Sequence, residues 1–129
     1  MMPEMIRRVN ADEFMQLAEN IPVIDVRSPG EYDHGKIPGA INIPLFNDVQ
    51  RAMVGAIYTH QGRAEAATAG MGMIAPALSE KMKNALEIAS DGKLCLYCWR
   101  GGMRSESMAW LFSVAGITTF ILEGGYKAY

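Results

Sequence analysis

Hydrophobic positions along this chain follow two rhythms. Val23-Ile-Asp-Val26, Ala40-Ile-Asn-Ile43, Lys93 to Tyr97 and Thr119 to Leu122 are short, nearly unbroken apolar runs, as expected of strands buried on both faces. Ile6 to Val9, which carries Arg7 and Arg8, can add a short edge strand. The stretches between them repeat at three and four residues. Asn10 caps a first helix, Glu13 completes its capping box, Phe14, Leu17 and Ala18 form its stripe, and Asn20 ends it. Ser28 and Glu31 make a second box with Pro29 at the first helical position, predicting a helix over Pro29 to His34 that Gly35 stops.

Asn47, Asp48 and Val49 start a helix to about His60, with breaks expected near Gly62 and again at Gly70 and Gly72. Met71, Met73 and Ile74 read as core filling, with a pliable contact surface as the alternative. Pro76 opens a helix to Ala89 striped by Leu78, Met82, Ala85, Leu86 and Ala89. A last long helix, from about Met103 to Ala115, buries Met108, Leu111, Phe112 and Ala115 and is capped by Gly116. Gly124-Gly125 then turns into a closing segment. Strands alternating with helices predict an α/β sheet covered on both faces.

Composition narrows this picture. The 129 residues, 50% of them hydrophobic, suit a single domain spanning 1–129 with a sizeable core. Acidic Glu4 near the start and the lack of long apolar runs argue against a signal peptide or membrane span, so a cytoplasmic protein is expected. With 12 Lys and Arg against 14 Asp and Glu, the domain lacks the basic footprint needed to grip a polyanion tightly by itself. Arg51 and Arg63 can approach a phosphate or simply be solvated. His34 and His60 share no ligand spacing, and neither a metal nor another cofactor is expected.

The chemistry concentrates in Leu94 to Ser105. A buried strand ending at Cys98 runs into a loop carrying Gly101 and Gly102 and then into a helix start. Two glycines free to take positive φ let the loop curl until its N–H groups point inward, and the helix N-terminus adds free donors and positive potential. Such surroundings favour a thiolate, which makes Cys98 the candidate nucleophile; a half-buried structural cysteine is the plainer reading. Trp99, Arg100, Gly101, Gly102, Met103, Arg104 and Ser105 would form the anion cradle, with Arg104 holding the oxyanion part of a donor and Arg100 at the rim. Cys95 and Cys98 are roughly 10 Å apart on an extended strand and face opposite ways, so Cys95 is read as core and no disulfide is expected. Asp25 and Arg27 end a strand where α/β sheets keep working residues, and are read as either a buried ion pair or part of the catalysis.

Cys98-Trp-Arg-Gly-Gly-Met-Arg-Ser105 resembles the active loop of rhodanese-like sulfurtransferases, and most of all that of the N-terminal domain of bacterial tRNA 2-selenouridine synthases. Asp25 to Pro44 resembles the family's first signature and Leu122-Glu-Gly-Gly-Tyr-Lys-Ala-Tyr129 its closing one. Between them, Pro44-Leu-Phe, Arg51, Val54-Gly55, Tyr58, Gln61-Gly62, Glu65-Ala66 and Gly70 are similar to an insert of the selenouridine synthases. Lys36 departs from the usual histidine at a position with no catalytic role.

The resemblance implies a rhodanese-like fold with about five mainly parallel strands, and favours a scaffold role for Asp25 and Arg27. It also implies a Cys98 persulfide or perselenide, charged by thiosulfate or selenophosphate, that serves conversion of tRNA 2-thiouridine to 2-selenouridine. In that family tRNA is engaged with a C-terminal nucleotide-binding domain. No G-x-x-x-x-G-K-[ST] string occurs here, so the chain is expected to be an excised N-terminal domain or a stand-alone relative. Two alternatives stand. Cys98, five residues and Arg104 also match the loop of Cys-based phosphatases, although Tyr97 stands where those often have histidine; the other is a binding module without turnover.

Overall fold

The computed structural model describes residues 5–129; residues 1–4, Glu4 among them, lie outside the described residues. Five strands, β1 (Ile6–Val9), β2 (Val23–Asp25), β3 (Ile41–Asn42), β4 (Lys93–Tyr97) and β5 (Thr118–Leu122), form one sheet in the order β1-β5-β4-β2-β3. Every pairing is parallel. The helices are α1 (Ala11–Leu17), α2 (Pro29–His34), α3 (Asp48–Gln61), α4 (Arg63–Ile74), α5 (Leu78–Ile88), α6 (Met103–Val114) and α7 (Gly125–Ala128), with a 3-10 turn over Ala75–Ala77 before α5. This is the expected α/β architecture, with Ile6–Val9 at an edge as its arginines required.

Strand alternation divides the core into two layers. Leu94, Leu96 and Cys98 pack with Ile24, Val26 and Ile121 beneath α5 and α6. Cys95 and Tyr97 point the other way, towards Phe14, Ile37, Phe120 and Leu122. The period of two thus puts the two cysteines in different layers. β4, buried from Leu94 to Tyr97 and flanked by β2 and β5, is the centre of the sheet, and the residue after it is Cys98.

Four expectations change. At α1, Asn10 accepts the Glu13 N–H, but the Glu13 carboxylate accepts from Arg7 across the edge of the sheet rather than completing the box. Gly62 does end α3, whereas Gly70 and Gly72 do not interrupt α4. A Cβ on Gly70 would come within 3.1 Å of the Phe46 ring, so this glycine lets the helix approach that ring, and tertiary packing offsets its weak propensity of about 1 kcal/mol. Met71, expected in the core, is 55% exposed, because the α3–α4 hairpin stands off the sheet and buries only its Ala66, Gly70 and Ile74 side. On α5 the inward stripe passes through Ile88, leaving Leu86 51% exposed. Among the described residues no helix is long and apolar enough to cross a membrane.

Candidate active site

β4 delivers Cys98 to the carboxyl edge of the sheet, and the chain then loops through residues 99–102 into α6. Only Gly101 uses positive φ, at 70°; Gly102 sits at φ −98°, so one left-handed residue is enough to turn the loop. Gly101 is needed for space as well, since a Cβ there would come within 2.7 Å of the Leu122 carbonyl oxygen. The Gly101 carbonyl in turn accepts from Arg8 Nη1 at 2.7 Å, which ties the loop to the edge strand.

The far wall is α7. Tyr126 N–H donates to the Cys98 carbonyl at 2.8 Å and Lys127 N–H to the Trp99 carbonyl at 2.9 Å. The closing Glu-Gly-Gly-Tyr signature therefore acts as a clamp on the loop, something its sequence alone does not disclose.

Among the described residues the N–H groups of Trp99, Arg100, Gly101 and Gly102 donate to no backbone carbonyl, and the first helical bond is Glu106 N–H to Gly102. Met103, Arg104 and Ser105 hold the first three positions of α6, whose N–H groups have no intrahelical acceptor. Ser105 Oγ is buried and likewise without a partner. A run of free donors thus spans residues 99–105, as an anion cradle requires.

Cys98 itself is buried. It is 3% exposed and packs in the layer of Leu96, Val26 and Met108, because alternation along β4 turns it inward. Cys95 is fully buried on the opposite face, and burial pushes its thiol up to about 12.

Asp25 and Arg27 form a buried ion pair, Nη2 to Oδ2 at 2.6 Å, at 0% and 2% exposure. The Asp25 carboxylate also accepts Arg27 Nε and the Arg27 N–H; Arg27 Nη2 donates to the Gly35 carbonyl, and the guanidinium lies 4.4 Å over the Tyr126 ring. The Asp25 carboxylate, Arg27 Nε and Arg27 Nη2 thus tie β2 and α2 together, with the Tyr126 ring of α7 against the guanidinium. Tyr97, where a phosphatase histidine would stand, is buried and accepts the Ile37 N–H with its hydroxyl.

Arg104 departs most from expectation. Nη1 and Nη2 bind Glu31 Oε1 and Oε2 at 2.6 and 3.3 Å, and Arg51 Nε lies 3.2 Å from the same Oε1. Burial opposes ionisation of Glu31, yet the Arg104 guanidinium and the Ser28 N–H and hydroxyl outweigh it and hold the carboxyl down at about 2. Glu31 was legible only as a helix cap. Its link to Arg104 spans 73 residues and follows no local spacing.

These side chains line a cavity of about 720 Å³ in front of the loop, with Trp99, Tyr126 and the exposed His34 around it. Arg100 is exposed at the rim, while Arg63 lines a separate apolar groove beside α6. No group of three His, Cys, Asp or Glu among the described residues could hold a metal ion.

The family model of the rhodanese-like domain matches residues 10–129. The tRNA 2-selenouridine synthase of Bdellovibrio bacteriovorus is 38% identical over 127 residues, covering 95% of this chain and 33% of that protein. The N-terminal domain of a Clostridium difficile protein described as ATP/GTP-binding has a solved structure that is 38% identical, covers 94% of each chain and superposes with a TM-score of 0.87. A rhodanese-related protein of Thermoplasma volcanium, at 22% identity and a TM-score of 0.57, covers 95% of this chain and 88% of its own and shares the fold. The chain spans about a third of the length of the curated relatives it matches.

Proposed function

Since the chain belongs to the rhodanese-like domain family, we propose that it transfers sulfur or selenium through Cys98 in the service of tRNA modification, converting 2-thiouridine to 2-selenouridine. The observation that carries this reading is the placement of Cys98 at the end of the central strand, followed by a loop and helix start whose N–H groups from residue 99 to residue 105 are, among the described residues, unclaimed. A Cys98 thiolate attacks the outer sulfur of thiosulfate, the donor's S–S bond breaks, and sulfite leaves with the bonding electron pair. The product is Cys98 persulfide; a selenium donor whose selenium is likewise bonded to a group that leaves with the electron pair, such as selenosulfate, gives the perselenide and releases sulfite. The terminal atom of either product is anionic, the charge that free backbone N–H groups stabilise. Ser105 Oγ is a further donor within the cradle.

The net charge of −2 supports a division of labour in which tRNA is held elsewhere in a longer protein, this chain being its N-terminal domain, and presented to the loop. Reduced thiols suit a cytoplasmic setting.

Mass spectrometry after incubation with thiosulfate tests the reading. One added sulfur atom is expected in wild type and in Cys95→Ser and none in Cys98→Ser; failure to load wild type would sink it. Hydrolysis of p-nitrophenyl phosphate that depends on Arg104 would instead favour phosphoryl chemistry on the same loop.

A further inference from the structure

Glu31 collects more partners than a helix cap needs. Its Oε1 accepts Ser28 N–H and Ser28 Oγ at 3.1 and 3.0 Å and also faces Arg104 Nη1 and Arg51 Nε, whereas Oε2 accepts, among the described residues, only Arg104 Nη2 at 3.3 Å. Arg51 comes from α3 and Arg104 from the first turn of α6, so two elements that are otherwise far apart in sequence meet on this carboxylate. Both guanidiniums line the cavity in front of the loop. Arg27 lines the cavity too, but its charge is neutralised at 2.6 Å by the buried Asp25 carboxylate, which leaves Arg104 and Arg51 as the cations that Glu31 contests.

We infer that Glu31 is a specificity-determining residue, a built-in competitor for Arg104 and Arg51 that sets how tightly the site holds the oxyanion head of a donor and how readily it lets the leaving oxyanion go. This deepens the transfer reading above and rests on it. The Ser28 contacts anchor the carboxylate on α2, so the exchange occurs at the guanidiniums; Arg51, with a side chain 51% exposed, is free to swing from Glu31 to a bound anion. A site without Glu31 would bind any resident phosphate or sulfite more tightly and turn over less.

The experiment is calorimetric titration of the protein with inorganic phosphate. Glu31→Gln keeps an oxygen for the Ser28 cap but cannot neutralise two guanidiniums, and phosphate should bind about tenfold tighter, the worth of a charge-assisted contact no longer contested. Adding Arg51→Ala to that variant should undo most of the gain. Asp48→Asn removes a carboxylate from the same cavity that binds the Gly30 N–H and no arginine, and should change affinity by no more than about twofold. Phosphate binding that is unchanged or weaker in Glu31→Gln, in protein whose melting curve shows it folded, overturns the inference, because Glu31 would then be presenting the arginines rather than competing for them. An equal gain in Asp48→Asn overturns it too, reducing the effect to the general field. Sulfur loading of wild-type Cys98 is read separately, so the transfer reading and this one can fail independently.

Discussion

Gly125 sits directly against the Cys98–Trp99 peptide: at φ 59° a Cβ on it would overlap the Cys98 carbonyl oxygen and come within 2.6 Å of the Trp99 carbonyl carbon. The two residues are 27 positions apart in the chain, yet this approach allows Tyr126 and Lys127 to bond the loop. Gly125→Ala should therefore cost about 3 kcal/mol or more and loosen the cradle, from backbone strain and overlap together. Gly39→Ala, at φ 84° with nothing within 4 Å, carries the backbone part alone and should cost about 1 kcal/mol. Urea unfolding of both variants separates the two contributions.

The buried pair of Asp25 and Arg27 should behave as scaffold. Asp25→Asn leaves a guanidinium at 2% exposure without its counter-charge and should lower stability by about 3–5 kcal/mol. Below its own melting temperature the variant should still load sulfur on Cys98. Loss of loading in folded protein would assign the pair a part in the chemistry.

Glu31 makes stability depend on pH in a defined direction. Its folded carboxyl lies at about 2, below its ordinary value of 4.5. A group with a depressed folded pKa contributes stability that is complete above the unfolded value and is lost as pH falls through the folded one. Wild type should accordingly be more stable than Glu31→Gln by about 2 kcal/mol at pH 7, with the gap closing between about pH 4.5 and 2. Denaturation curves at pH 7, 4 and 3 measure it; a gap that does not change with pH would mean that the Arg104 contact stabilises nothing.

Much of this molecule could be read from local pattern. The apolar runs predicted β2, β4 and β5, the N-caps Asn10 and Ser28 were correct to the residue, and the odd spacing of Cys95 and Cys98 put them on opposite faces. Those features depend on backbone periodicity and on contacts within about four residues, which a sequence displays directly.

Other features depend on which elements come together. Helix propensity placed breaks at Gly70 and Gly72, but the approach of α4 to Phe46 kept the helix whole. Thiolate chemistry made Cys98 the candidate nucleophile, but the sheet's alternation packs it into the core beside Leu96. Arg104 was expected to face an anion, and its present partner is Glu31 on α2; the clamp on the loop is α7, from the far end of the chain. The sequence by itself determined the strands, the caps and the loop that carries the cysteine. Tertiary structure alone decided which charges meet in front of that loop, because an ion pair or a glycine's close approach is set by distance in space, and residues 73 positions apart carry no record of it in their spacing.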